Sequence, residues 1–111
     1  YDLFRNAGIK SFELSLETAG KLVRKALKLS MATPREADRL VFKDLFRHAQ
    51  KHALLDSAAV ERWFNYRDNR HNTAHDYGEG FAEETLALLP NFLLDIEALA
   101  ATLEELFNAQ A

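Results

Sequence analysis

Polar side chains that could do chemistry are concentrated between positions 65 and 76. Only Ala74 carries an aliphatic side chain in those twelve residues, whereas the flanking sequence is far more apolar. A histidine titrates near neutral pH and can move a proton, and an arginine can grip a phosphate with two N–H groups. Arg70 and His75 supply this pair. The segment is therefore either a site for phosphate chemistry or the solvated end of a helix.

Two histidine pairs have the spacing of a metal chelate on one helix face. His48 and His52 are four residues apart, and so are His71 and His75. Neither pair encloses the acidic residue that zinc proteases need, and lysine and arginine flank the first pair. The chain has no cysteine, which excludes thiolate metal sites and disulfides. We therefore predict no metal and no cofactor.

Charge is distributed unevenly along the chain. Residues 1–58 hold eleven Lys or Arg against seven Asp or Glu, residues 59–77 balance, and residues 78–111 hold seven acids and no base. The net charge of −3 excludes a bulk electrostatic binder of nucleic acid, which is normally basic overall. Any contact with RNA must rest on a local patch.

The elements that must position this segment are helices. Apolar residues at three- and four-residue steps predict a helix over residues 3–29, in which Gly20 is a candidate packing notch. Thr33-Pro34-Arg35-Glu36 is a helix start, and a second helix should run to about Lys51 with Leu40, Val41, Leu45 and Ala49 facing inward.

A third helix should begin at a cap formed by Asp56 or Ser57 and break after Tyr77. Trp63 and Phe64 on this helix could stack on a base, but aromatic residues of an amphipathic helix more often belong to the core. A last helix follows, which Pro90 should kink or divide. These elements predict an all-α fold: a single domain over residues 1–111, built as a four-helix up-and-down bundle.

The chain opens at Tyr1 without a methionine and already in a helical pattern, so we expect a first helix to be missing. No apolar run approaches the ~20 residues of a membrane span, and no signal peptide is recognisable. We expect a cytoplasmic protein without a membrane partner. A thin core beside a last helix rich in Leu and Phe makes self-association plausible.

The segment Arg70-His71-Asn72-Thr73-Ala74-His75 resembles the signature of the HEPN superfamily, and Arg70-x4-His75-x-Tyr77 is similar to its HepT-like group. That group includes proteins called nucleotidyltransferase substrate-binding proteins. The similarity extends to an aromatic–Glu pair in residues 9–14 and to the Thr-Pro-Arg helix start at residues 33–35. His71 stands where asparagine is commoner, a variation that the superfamily tolerates.

The resemblance implies a metal-independent ribonuclease with an active site formed across a homodimer. His75 would be the base or acid that handles the RNA 2′-hydroxyl proton, and Arg70 would hold the phosphate. His71 or Asn72 would orient the ribose or phosphate, and Arg67 would extend the basic surface. The structural alternative for Arg70 and His75 is an interhelical ion pair with Asp68 or Asp76.

The resemblance also implies a partner, a minimal nucleotidyltransferase that acts as the antitoxin by transferring AMP to Tyr77. Tyr66 is the alternative site of modification, and Tyr77 could instead be a capping aromatic. Two other functions remain open. The chain could be a non-catalytic subunit that presents a substrate or nucleotide to the nucleotidyltransferase, or a helical dimerisation module whose polar segment is only a surface loop.

Overall fold

The fold is all-α, as the sequence predicts. A computed structural model describes the backbone of residues 2–30, 34–75 and 79–110, and the side chains of residues 7–30, 34–70 and 83–109. Throughout these ranges the regular secondary structure is helical. The helices are α1 (Asp2–Ser30), α2 (Pro34–Arg39), α3 (Phe42–Lys51), α4 (Ser57–His75) and α5 (Glu79–Gln110).

The helices alternate in direction in an up-and-down bundle. Helix α4 descends beside α5, because Arg62 contacts Asp95 while Asn69, further along α4, contacts Thr85. Helix α1 runs parallel to α5, since Gly8 approaches Leu86 and, further along both helices, Lys25 lies over the Phe107 ring. The short α2 folds back along the end of α1, and α3 then rises beside α4. The polar end of α4 therefore lies at the same end of the bundle as the start of α5.

The predicted second helix is in fact two helices, and the inward position predicted for Val41 is wrong. Val41 is extended (φ −80°, ψ 168°) and 65% exposed. The break lets α2 follow α1, where the Arg24 guanidinium donates to the Ala37 carbonyl at 2.5 Å, a carbonyl near the end of α2 that also accepts a long bond from the Leu40 amide at 3.4 Å. It also directs Phe42 onto Gly20, whose missing Cβ would lie 3.3 Å from the Phe42 ring. The predicted packing notch at Gly20 is confirmed.

Aromatic rings form the centre of the core. Trp63 of α4 is fully buried, stacks on Phe46 of α3 at 5.1 Å between centroids, and meets Tyr66 and Phe92 edge to face. Phe12 of α1 closes the cluster against Phe92 at 4.6 Å. Because Trp63 is enclosed on all sides, it belongs to the core and cannot stack on a base.

The start of α4 follows the predicted cap. The Asp56 carboxylate accepts a hydrogen bond from the Ala59 amide at 2.8 Å, so Asp56 rather than Ser57 is the capping side chain. The proposed Thr33 cap lies outside the described residues.

The sequence predicts that Pro90 kinks or divides the last helix. Helix α5 is not divided there, because it runs from Glu79 to Gln110, and the kink stays a prediction. Proline removes one N–H bond from the helix, and Pro90 is exposed, so its ring disturbs no core contact. An 18-residue window within Glu83–Ala109 has a mean hydropathy of 1.6, so this helix is long and apolar enough to cross a membrane by length and composition. We expect from the sequence that no apolar run approaches the length of a membrane span, and this helix is an exception by that test. One such helix is weak evidence for a span, and only 22% of the window is buried within the bundle.

A buried carboxylate connects α4 to α5. Asp95 accepts two hydrogen bonds from Arg62, from Nε at 2.9 Å and from Nη2 at 2.9 Å, and a third from the Tyr66 hydroxyl at 2.5 Å. Asp95 is only 7% exposed and Tyr66 only 2%, while the Arg62 side chain reaches solvent. The two oxygens of the carboxylate are thus satisfied from one helix face.

The contacts shift the titration of all three groups. Burial by itself would raise the pKa of the Asp95 carboxyl, but the hydrogen bonds from Arg62 and Tyr66 outweigh burial, and the pKa is lowered. Burial raises the pKa of the Tyr66 phenol, and the hydrogen bond to Asp95 raises it further. The hydrogen bond to Asp95 raises the pKa of Arg62. The carboxylate is therefore charged and the phenol neutral at physiological pH.

We predict that Asp95→Asn lowers the free energy of unfolding by about 1–3 kcal/mol at pH 7, because it removes the charge that Arg62 and Tyr66 stabilise. A carboxyl whose pKa is lowered on folding stabilises the protein above its unfolded pKa and ceases to do so as the pH falls through the folded pKa. The difference between variant and wild type should therefore be constant above about pH 5 and shrink below about pH 4.

Urea denaturation between pH 3 and pH 7 measures this difference. Glu97→Gln, an equal change at an exposed position of the same helix, is the matched control and should alter stability by less than about 0.5 kcal/mol. Equal losses in the two variants would contradict the role assigned to Asp95.

Candidate functional site

The predicted site lies on the last three turns of α4. The helix is continuous from Ser57 to His75, so Arg67, Arg70, His71, Asn72 and His75 all belong to one rigid element. The structure describes the side chains of Arg67 and Arg70. The side chains of the other three lie outside the described residues, as does the whole of Tyr77.

A hydrogen bond fixes α4 immediately before the motif. The Thr85 hydroxyl of α5 donates to the Asn69 Oδ1 at 2.7 Å, and both side chains are buried, with Asn69 8% exposed. This contact joins the residue preceding Arg70 to the second turn of α5. It therefore sets the distance and rotation of the motif relative to α5. The sequence gives one signal for it, since Thr85 is a polar residue in an otherwise apolar helix face.

The two arginines occupy half-buried positions one turn apart. The Arg70 Nε atom is buried, and the Arg67 guanidinium lies 5.7 Å from the centre of the Phe42 ring. Asp68, one of the partners considered for Arg70, receives the Lys43 ammonium at 2.8 Å across the α3–α4 boundary. Arg67 therefore faces α3.

A cleft of about 360 Å³ opens where α3 meets α4, and we call it the α3–α4 cleft. It is lined by residues 41–44 and 47 around the start of α3 and by residues 67–68 of α4. The Phe64 ring adjoins two of these residues, with the Lys43 ammonium at 5.5 Å and the Arg47 guanidinium at 5.2 Å from the ring centre. Arg67 is the predicted site residue that belongs to this cleft.

Tyr66 and Tyr77 are the two candidate sites of modification, and the structure describes only the first. Tyr66 is 2% exposed and its hydroxyl donates to Asp95, so this hydroxyl is not available to an external enzyme in the folded bundle. Tyr77 lies outside the described residues. The structure thus counts against Tyr66 as the modification site.

The histidine pair on α3 does not lie within one helix. Helix α3 ends at Lys51, and His52 is its C-terminal cap with φ −91° and ψ 12°. Among the described side chains, no three His, Asp or Glu residues gather as metal ligands. The second histidine pair lies outside those side chains, and the absence of a metal stays a prediction.

Comparison with known proteins identifies the family. Residues 1–105 match the family described as "Nucleotidyltransferase substrate binding protein like". The chain is also similar to a protein of Haemophilus influenzae named "Probable ribonuclease HepT", with 27% identity over 97 residues. That alignment covers 87% of this chain and 65% of the relative, so the chain spans slightly less than two thirds of its length.

No solved structure matches the chain significantly. The family match covers nearly the whole chain, including the helix start at residues 33–35 and the motif at the end of α4. The chain therefore belongs to the nucleotidyltransferase substrate-binding-protein-like family, and the HepT-like HEPN relationship predicted from its motif is confirmed.

Proposed function

We propose that the chain is a HepT-like endoribonuclease that cleaves RNA without a metal ion, at a site shared between two copies. The observation that carries the proposal is the continuity of α4 through Arg70 and His75, in a chain of this family. Similarity to a protein named as a probable ribonuclease supports it. A rigid helix is a suitable support for such a site because it fixes the spacing of its side chains.

The chemistry needs a base, an acid and a positive charge. His75 of one copy takes the proton from a ribose 2′-hydroxyl, and the 2′-oxygen attacks the adjacent phosphorus. Arg70 stabilises the charge that builds up on the phosphoryl oxygens. The bond from phosphorus to the 5′-oxygen then breaks, and the histidine of the second copy protonates that oxygen. The products are a 2′,3′-cyclic phosphate and a 5′-hydroxyl.

The remaining polar residues of α4 bind and orient the RNA in this proposal. His71 or Asn72 holds the ribose or the scissile phosphate, and Arg67 continues the positive surface towards α3. The hydrogen bond between Thr85 and Asn69 keeps this part of α4 in a fixed orientation to α5. That contact provides the preorganisation that a charge-stabilising site needs.

We predict that the purified, unmodified protein cleaves RNA in the presence of EDTA and that His75→Ala lowers the rate by about 10²–10⁴-fold, the usual contribution of a general acid or base. Arg70→Ala should reduce cleavage comparably, because it removes the charge facing the reacting phosphate. Gel analysis of labelled RNA, with detection of the cyclic phosphate end, measures both effects.

His52→Ala is the matched control. His52 is an exposed histidine at the C-terminal end of α3, outside the proposed site, so its substitution should leave the rate unchanged. Equal rates in wild type and His75→Ala would overturn the nuclease proposal.

The proposal includes control by a minimal nucleotidyltransferase. The partner transfers AMP from ATP to the Tyr77 hydroxyl and releases pyrophosphate. An anionic adduct two residues from His75 would exclude RNA by its volume and its charge. Tyr77 is preferred to Tyr66 because the Tyr66 hydroxyl is buried and bonded to Asp95.

We predict that co-expression with such a partner raises the intact mass by one or more AMP units, and that Tyr77→Phe abolishes the increase. Tyr66→Phe is the control, and it should leave the mass increase in place because its hydroxyl is enclosed in the core. Intact-mass spectrometry measures the outcome. Retention of the adduct in Tyr77→Phe would assign the modification elsewhere.

A second candidate function follows from the family to which the chain belongs. In this alternative the chain is a non-catalytic subunit that presents a substrate or nucleotide to a nucleotidyltransferase. Arg70 and the histidines then bind phosphate without cleaving RNA. A mass increase on Tyr77 together with no ribonuclease activity in the unmodified protein would favour this alternative.

A further inference from the structure

Positive and negative side chains lie on different sides of the bundle. Helix α5 contributes acids and no Lys or Arg, whereas α3 carries Lys43, Arg47 and Lys51 against the single acid Asp44. Helices α1 and α4 both pack against α3 and against α5, and therefore lie between them. A polyanion approaching the protein is consequently attracted to the α3 side and repelled from the α5 side.

The α3–α4 cleft is the part of that positive side where cations and aromatic rings occur together. Lys43 and Arg47 lie over the half-buried ring of Phe64, and Arg67 lies over the half-buried ring of Phe42. These cations are accessible, since the Lys43 side chain is 38% exposed and that of Arg47 is 57% exposed. The cleft thus offers ammonium and guanidinium groups beside flat apolar surface.

Two carboxylates hold the cations in place. Asp68 pairs with Lys43 at 2.8 Å and Asp44 pairs with Arg47 at 2.7 Å. With Arg67 included, three positive charges face two negative ones. An excess of one charge is too small for unspecific capture of a duplex, which depends on many phosphate contacts. A single strand also gains from base stacking on aromatic rings and guanidinium planes.

We infer that the α3–α4 cleft binds single-stranded RNA next to the cleaved phosphodiester, with Lys43, Arg47 and Arg67 contacting phosphates and Phe64 supporting a base. The inference deepens the proposed function and rests on it for the identity of the ligand as RNA. An acidic protein segment could meet the charges but would gain little from the half-buried aromatic rings.

The cleft continues the proposed active site along one helix. Phe64 and Arg70 are six residues apart on α4, about 9 Å along its axis. Arg67 lies midway between them, one turn from each. A few nucleotides of an extended strand span this distance, so the cleft holds the RNA on one side of the scissile bond and fixes the register of cleavage.

Binding to a fluorescent single-stranded RNA tests the inference, in a His75→Ala background that prevents cleavage. We expect Lys43→Gln to weaken binding about fivefold at moderate salt and to reduce the slope of log Kd against log salt by about 0.7, the value for one lost phosphate contact on a single strand. Phe64→Leu should weaken binding without changing that slope, because stacking is not a counterion effect.

Lys28→Gln is the matched control. Lys28 and Asp38 form an exposed ion pair between α1 and α2 at 2.6 Å, with side chains 41% and 54% exposed. The Lys43–Asp68 pair is nearly identical in exposure, at 38% and 55%. The two variants therefore remove the same charge and the same kind of interhelical contact. Equal loss of RNA affinity in both would overturn the inference.

Substrate length separates this inference from the proposed function. A dinucleotide reaches only the motif, whereas a longer strand also reaches the cleft. In the active protein, Lys43→Gln should raise KM for the long substrate and leave dinucleotide cleavage unchanged. If wild type cleaves RNA and Lys43→Gln has an unaltered KM, RNA binding by the cleft is contradicted and the proposed ribonuclease activity is retained. If wild type binds RNA through the cleft but does not cleave it, RNA binding by the cleft is retained and the proposed ribonuclease activity is contradicted.

Discussion

Asp95 is a charged group inside an apolar bundle, and the geometry of the site depends on how that charge is accommodated. A buried carboxylate without partners would cost several kcal/mol, so α4 must present Arg62 and Tyr66 to it at one particular rotation and height. Apolar packing alone tolerates small rotations of a helix, whereas three hydrogen bonds to two oxygens do not. The rotation of α4 about its axis then determines where Arg67 and Arg70 point.

Helix α4 consequently has two roles. Val60, Trp63 and Tyr66 anchor it in the core. Arg67 lines the α3–α4 cleft, and the neighbouring Phe64 ring contacts the cleft residues Lys43 and Arg47. The Thr85–Asn69 hydrogen bond adds a second tie to α5 one residue before the motif. The proposed chemistry therefore begins at the point where the helix passes from a packed environment to a polar one. In the proposed mechanism the first half of α4 is held by the core, and the reacting side chains lie on its last turns.

Much of this arrangement can be predicted from the sequence. Periodicity identifies α1, α4 and α5, and the Asp56 cap and the Gly20 notch follow from residue type alone. The division of the second helix could not be predicted, because Leu40 and Val41 continue the apolar period while tertiary packing of Phe42 on Gly20 determines the break. Pro90 predicts a kink or a division of α5, and the helix is not divided, because at an exposed position the proline removes one hydrogen bond without disturbing the core.

Only part of the site can be predicted from the sequence. The motif can be recognised because its spacing is local, and the family match supports it. The Arg62–Asp95 contact joins positions 33 residues apart, and no local pattern marks either residue as a partner. The contacts of Lys43 and Arg47 with Phe64 are equally unpredictable, because in the sequence these two residues form an ordinary polar helix face. The roles of all the predicted site residues stay predictions: Arg67, Arg70, His71, Asn72, His75 and Tyr77.

Trp63 is the single tryptophan of the chain, and its complete burial has a practical consequence. Its indole touches rings from α3, from its own helix and from α5, so its environment changes only when those helices separate. Intrinsic fluorescence excited at the indole band therefore reports the integrity of the whole core from one position. Substitutions at the polar end of α4 do not touch this indole. An unchanged Trp63 emission spectrum therefore shows that a motif variant has kept its folded core.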